Sequence, residues 1–395
     1  MSPAPPDPRL ADLPSPSDAE RAHCSRVVSH VVHAIAEEEG WISFADYMNA
    51  ALYAPGLGYY TAGARKFGAA GDFVTAPELT PLFGTTLAVQ IAQVLEQIPE
   101  GDILEVGPGS GRLAADILRA LAERESLPKR YLLLEVSADL RERQREHLAQ
   151  LGHLMSSRIR WIDALPDRWS GAVIANEVLD AIPAHVVVRR SGRWFERGVT
   201  VDANAQLAFA DRPLARGMLR TLAQSRFPER IDYVSELNPA AEALVMGLAE
   251  RCERGVMLLL DYGFPAGEYY HPQRDSGTLM AHFRHRVLSD PFCYPGLIDM
   301  TAHVDFSAMA QAGVKAGMKV AGFATQARFL VNCGVLDALA RCGDPQSAAY
   351  LRAASDVQKL TSPAEMGELY KVLALARGVD IELMCFREGD HSHRL

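Results

Sequence analysis

Apolar and polar positions change rhythm several times along the chain. In RVVSHVVHAIAEEEG, Val27, Val28, Val31, Val32 and Ile35 recur at three- and four-residue steps, which predicts a helix closing at Gly40. From about residue 101 to 180, short apolar runs (DILEVG, RYLLLEV, RIRWID, AVIANE) alternate with segments such as RLAADILRALAER, where Leu113, Ile117, Leu118 and Leu121 share one face. Apolar strands alternating with amphipathic helices predict a parallel sheet covered on both sides. After Pro183, HVVVRRSGRWFERGVTVDANAQLAFA alternates at period two, with turn signals at Ser191-Gly192 and Asn204, and predicts the strands of an inserted hairpin. The strand–helix rhythm returns with the helix NPAAEALVMGLAERC and the strand GVMLLLDYG. The stretch from Phe264 to Phe306 is too long for a mere connector, so it is expected to be functional or ordered by packing. A helix after Val304, a strand near MKVAGFA, a helical stretch and a strand LYKVLALA close the chain.

These rhythms divide the chain into a proline-rich, disordered lead (1–20), a mainly helical or lid-forming region (21–100), an α/β domain (101–380) with insertions at about 184–230 and 264–304, and a C-terminal tail (381–395). Composition narrows the partners. Of 395 residues, 48% are hydrophobic and 23% charged, enough for a sizeable core. The net charge of −9 argues against a nucleic-acid-binding surface. The cysteines, Cys24, Cys252, Cys293, Cys333, Cys342 and Cys385, are scattered and form no CxxC pair, as expected of reduced thiols. No apolar run reaches the roughly 18–20 residues of a membrane span. The lead has neither a secretory core nor an Arg-rich, acid-poor transit character, so the chain is read as cytoplasmic.

The sharpest chemical signal is ILEVGPGSGRL, residues 103–113. A P-loop requires Lys and then Ser or Thr after its last glycine; here Arg112 and Leu113 follow Gly111. A dinucleotide fingerprint is GxGxxG, whereas Gly107, Gly109 and Gly111 form GxGxG. Glu105 precedes them, and a carboxylate at that place repels a pyrophosphate and favours a cation. S-adenosyl-L-methionine carries an ammonium and a sulfonium and no phosphate. The loop Gly107-Pro108-Gly109 would let the backbone approach its amino-acid end. Glu135, followed by Val136, ends the second strand and is spaced to accept both ribose hydroxyls. Asp163-Ala164 ends the third, where an Asp can accept an adenine amino group and a small residue leaves room for the ring. Each strand-end acid alone could equally cap a helix; together behind one glycine loop they point to that cofactor.

At this point the sequence resembles a known family. GDFVTAPELTPLFG, LEVGPGSGRL, ANEVLDAIPAH, DYGFP, DMTAHVDF and MGELYKVLAL together look like the MidA-like methyltransferases, which include a mitochondrial complex I assembly factor that methylates an arginine. The resemblance runs from about Trp41 to Arg377. It implies an α/β, class I methyltransferase fold with a Rossmann-like seven-stranded sheet and an N-terminal helical segment. It also implies S-adenosyl-L-methionine as donor, S-adenosyl-L-homocysteine as product, and a protein arginine as acceptor.

An arginine acceptor needs carboxylates that hold its guanidinium and localise charge away from the attacking nitrogen. NEVLDAIP supplies candidates. Asn176 and Glu177 follow the fourth strand, and Asp180 comes three residues later, where Glu177 and Asp180 would share a helix face. Capping acids at a plain helix start fit the same residues. Gly71, Thr75 and Glu78 of GDFVTAPEL are expected to lie against the cofactor. Tyr59, Tyr60, Phe67 and Phe73 are placed either as a lid over it or in a core. Asp261, Glu236, Asp299 and Asp305 are weaker acids that could line the cleft or cap helices. His282, His285 and His303 tempt a metal reading, but no Cys or acidic cluster completes a site and no metal is expected. RERQREH, residues 141–147, reads as a solvated helix face. Two alternatives stay open: a cofactor-binding assembly factor with little turnover, and a small-molecule methyltransferase. Nothing in the sequence fixes the oligomeric state.

Overall fold

The computed structural model describes residues 14–62 and 75–395. Gly71, Phe67 and Phe73 lie outside the described residues. The chain clusters into two compact units, one comprising Val74–Asp180, Ala241–Tyr269 and His303–Leu395, the other Met1–Phe73, Ala181–Ala240 and Tyr270–Ala302.

The first of these units carries the strand–helix rhythm. Its strands are β1 (Asp102–Val106), β2 (Tyr131–Leu134), β3 (Ile159–Ile162), β4 (Trp169–Asn176), β5 (Cys252–Phe264), β6 (Lys319–Thr325) and β7 (Tyr370–Arg377). They lie in the order β3-β2-β1-β4-β5-β7-β6, and the two-residue strand Val304–Asp305 pairs with the end of β5. The strands from β3 through β5 are mutually parallel, while β7 runs antiparallel to both its neighbours. This is the expected seven-stranded α/β sheet.

Apolar faces make the layers. The helix Arg112–Glu123 turns Leu113, Ile117, Leu118 and Leu121 inward, and Pro81–Gln97 adds Phe83, Leu87 and Ile91 to the same cluster with Ile103, Ile174 and Leu258 of the sheet. Each such side chain contributes about 1.5–3 kcal/mol on burial. The C-terminal tail joins this core through Leu383, Cys385 and Phe386, and Gln90 Oε1 accepts the Cys385 amide at 3.1 Å.

The other unit departs more from expectation. The predicted hairpin is part of a five-stranded antiparallel sheet: Ile42–Ser43, Arg193–Val201, His185–Arg190 and Tyr233–Leu237 in that order, with Leu207–Pro213 added to Arg193–Val201. A two-stranded hairpin is marginal alone, and the additional strands come from segments distant in sequence. Within the long 264–306 stretch, Met280–Phe283, Arg286–Leu288 and Asp299–Thr301 form a second small sheet. The helix predicted over 26–40 instead spans Asp18–Glu37, starting inside the expected lead. Ser17 and Glu20 form a reciprocal capping box there, which satisfies backbone donors that would otherwise fray the first turn.

Candidate active site

β1 and β4 are neighbours from which the chain departs in opposite directions, to β2 and β3 on one side and to β5 on the other. Ligands of open α/β sheets sit beyond the carboxyl ends of strands at such a switch point. The glycine loop lies there. Gly107, Gly109 and Gly111 have φ of 63°, 53° and 80°, a left-handed run that only glycine adopts without strain. A Cβ on Gly107 would also come within 2.9 Å of Val178 Cγ2, so the loop is packed closely against the segment after β4.

Glu105 faces inward and is 2% exposed. The Tyr131 hydroxyl donates to it at 2.8 Å. Burial, with the nearby Glu135 carboxyl, pushes it up to about 7 despite that hydrogen bond. Glu135 ends β2 with its carboxylate accepting the Ser137 amide at 2.8 Å, and burial raises it above the usual carboxylate range. Beside it Val136 is 71% exposed, an apolar surface next to a hydrogen-bonding carboxylate. Asp163 and Ala164 are exposed after β3. A left-handed glycine cradle, a buried acid beneath it and an acceptor at the neighbouring strand end fit the amino-acid end and ribose of S-adenosyl-L-methionine.

RERQREH is corrected here: it is not wholly a solvated face. Gln144 is completely buried. Its Nε2 donates to the Gly109 carbonyl oxygen at 2.8 Å and to Glu135 at 3.1 Å, and its Oε1 accepts from Trp161 Nε1 at 2.9 Å. Arg141 donates to the carbonyl oxygens of Glu135 and Ile162 at 2.6 and 3.0 Å. The missed signal is Leu140, Gln144 and Leu148, a buried stripe at four-residue spacing.

The described part of GDFVTAPEL reaches the same loop. Glu78 accepts the Ser110 hydroxyl and, at 3.4 Å, the Arg112 guanidinium. Thr75 stands at the start of the short helix Ala76–Leu79, whose Ala76 amide donates to Glu177 Oε1 at 3.4 Å.

The segment Glu177–Asp180 is not a helix, so neither the shared helix face nor the capping acids apply. It is a turn with Glu177 at φ 52°. Asp261 at β5 makes it so: its Oδ2 accepts the amides of Val178, Leu179 and Asp180 at 3.2, 3.0 and 3.3 Å. Glu177 is half-buried. Its Oε1 also accepts from Asn176 Nδ2 at 3.4 Å, and its Oε2 from the Tyr370 hydroxyl at 3.2 Å. Burial and the neighbouring Asp180 push Glu177 up to about 8. The turn thus groups Asn176, Glu177 and Asp180, and its Val178 packs on Gly107 of the glycine loop.

The weaker acids have structural tasks. Asp305 caps the helix Phe306–Lys315 through the Ala308 amide at 3.1 Å. Asp299 accepts from the Tyr60 hydroxyl at 2.8 Å, and Glu236 accepts the amides of Thr278 and Leu279. Tyr59 is buried in the core of its own unit. His303 stacks on Phe264 and meets Tyr262 edge-on.

Residues 86–324 match the model of the family described as "Putative S-adenosyl-L-methionine-dependent methyltransferase". The chain belongs to this family. The methyltransferase is 31% identical to the mitochondrial protein arginine methyltransferase NDUFAF7 of Rattus norvegicus, over 90% of this chain and 86% of that one. It is 30% identical to the mitochondrial NDUFAF7 homolog of Drosophila melanogaster, over 92% and 87% respectively. A crystal structure of a Burkholderia thailandensis protein bound to S-adenosyl-homocysteine superposes with a TM-score of 0.93 at 47% identity, covering 97% of this chain and 100% of that one. The cofactor is therefore S-adenosyl-L-methionine, as expected. The cytoplasmic placement is corrected: the curated relatives are mitochondrial proteins. The composition of the lead, on which that reading rests, does not fix the compartment. No described helix is long and apolar enough to cross a membrane.

Proposed function

We propose that this methyltransferase modifies a guanidinium nitrogen of arginine in a protein, with Glu177 and Asp180 facing the acceptor. The observation that carries the reading is the Glu177 carboxyl. It follows the end of β4, one residue before the Val178 side chain that packs on Gly107, and is pushed up to about 8 by burial and Asp180. Such a pair favours an incoming cation, which relieves the repulsion between the two acids. The arginine-specific names of the curated relatives point the same way.

S-adenosyl-L-methionine, when bound, supplies a methyl group on a sulfonium, which is transferred in line to a nucleophile. The protein's residues do the rest. Gly107, Pro108, Gly109 and Gly111 seat the amino-acid end, and Glu105 offsets its positive charge. Glu135 holds the ribose hydroxyls beside Val136, while Asp163 and Ala164 border the adenine. Asn176 steadies Glu177, and Thr75 and Glu78 close the loop from the other side, with Gly71 preceding them in the chain. Glu177 and Asp180 accept hydrogen bonds from the acceptor's other nitrogens. They draw its charge away from the attacking nitrogen, which regains lone-pair character.

Purified protein incubated with radiolabelled S-adenosyl-L-methionine and a cell lysate should label a protein band. Mass spectrometry should place the methyl group on arginine. Glu177→Gln should keep cofactor affinity within about twofold and lower turnover by orders of magnitude. Label found only in small molecules, or full turnover in Glu177→Gln, refutes the proposal.

A further inference from the structure

The hydrogen bond from Tyr370 to Glu177 joins residues 193 positions apart in the chain. Tyr370 opens β7 and pairs with Tyr262 at the end of β5. Its ring meets that of Tyr262 edge-on, with centroids 5.5 Å apart, and Tyr262 in turn meets His303 at 5.0 Å. The phenol is therefore held by a strand pairing and a ring contact before it reaches the carboxylate. Glu177 needs such a constraint. Its backbone sits at φ 52°, and its two other contacts, from Ala76 and Asn176, are both long at 3.4 Å.

Resting on the acceptor reading above, we propose that Tyr370 is a positioning residue for methyl transfer: its hydroxyl fixes the rotamer of Glu177 and favours the ionised carboxylate that the acceptor requires. The groups facing Glu177 are Asn176 and Asp180 beside it in the chain, Asp261 from β5, Tyr370 from β7 and the Ala76 amide from the short helix before Pro81. Burial and Asp180 disfavour its charge, and that charge in turn helps hold Asp261 well above the usual carboxylate range. Tyr370 is the side-chain hydroxyl that favours it, and burial with those three acids holds the phenol itself well above its ordinary value, so it remains a donor.

Tyr370→Phe keeps the ring, the Tyr262 contact and the strand. Initial rates of label transfer from S-adenosyl-L-methionine into the lysate acceptor fraction should fall about ten- to hundredfold, the scale of one hydrogen bond to a charged group. Cofactor Kd should stay within about twofold. The rising limb of the pH–rate profile should move to higher pH. A carbon-13 titration of the Glu177 carboxyl, which needs no acceptor, should move the same way. Glu177→Gln combined with Tyr370→Phe should be no slower than Glu177→Gln alone. Rates are compared below the melting point of the less stable protein, so that lost folding cannot mimic the effect. Unchanged rates and an unmoved Glu177 titration in Tyr370→Phe, with Glu177→Gln inactive, overturn this inference and leave the acceptor reading standing. Full activity in Glu177→Gln overturns the acceptor reading itself, whatever the titration shows.

Discussion

Gln144 donates to the carboxylate of Glu135 at 3.1 Å from a position with no exposed surface. The same amide nitrogen holds the Gly109 carbonyl oxygen, so one side chain sets the distance between the glycine loop and the end of β2. Gln144→Met keeps the length and apolar bulk but removes these bonds. It should strand the Trp161 indole N–H and weaken S-adenosyl-L-methionine binding about tenfold or more. It should also cost about 1–3 kcal/mol of stability for the unsatisfied buried groups. Calorimetric titration and urea denaturation measure the two effects; an unchanged Kd would mean that the loop holds its shape without Gln144.

Glu105 gives a signed pH dependence. Its carboxyl titrates near 4.5 when the chain is unfolded and at about 7 in the folded protein. Between these values the folded state binds more protons. Stability therefore falls as pH rises through that window, by about 3 kcal/mol in total from this group. Glu105→Gln should flatten that slope and be the more stable protein above the window. Its cofactor affinity should drop if, as proposed, that carboxylate offsets the ammonium. Denaturant melts at both ends of the window test the sign; a variant as pH-sensitive as the parent would show that the slope arises elsewhere.

Asp261 is a support for the turn rather than an acceptor-binding group. One oxygen accepts three consecutive amides and the other accepts the Tyr262 amide at 2.9 Å. Asp261→Asn places an N–H₂ where an acceptor is needed. It should cost about 2–4 kcal/mol, the order expected when buried donors lose their partners. Turnover should be lost with it, because the turn carries Glu177 and Asp180. An Asp261→Asn protein with parental stability would assign the shape of the turn to something else.

In the other unit, Glu236 accepts both the amide and the hydroxyl of Thr278 at 2.9 Å. Gly277 sits at φ 80°, and a Cβ there would lie 2.2 Å from Glu236 Oε1. Gly277→Ala should therefore destabilise by about 1–3 kcal/mol, from backbone strain and displacement of the carboxylate. Thermal melts of Gly277→Ala should show a lowered midpoint. An unchanged midpoint would mean that Glu236 can swing aside at no cost.

The sequence by itself determined the α/β sheet, the glycine loop and the strand-end carboxylates Glu105 and Glu135. These are written in contiguous residues: an apolar strand, a left-handed glycine turn and an amphipathic helix specify one another over a few positions. The turn after β4 was legible as a place but not as a shape. ANEVLDAIP reads locally as a helix start, and Asp261, more than eighty residues later, is what folds it otherwise. Gln144 looked like part of a charged surface because periodicity cannot tell a buried amide from an exposed one until its partners are in place. Tyr370 gave no local hint of its contact with Glu177, since β7 reaches β5 only after the intervening chain has folded. The five-stranded sheet likewise needed Ile42–Ser43 and Tyr233–Leu237 to find the hairpin across long stretches of chain. Tertiary structure decided these features because a hydrogen bond between distant residues imposes no pattern on its sequence neighbours.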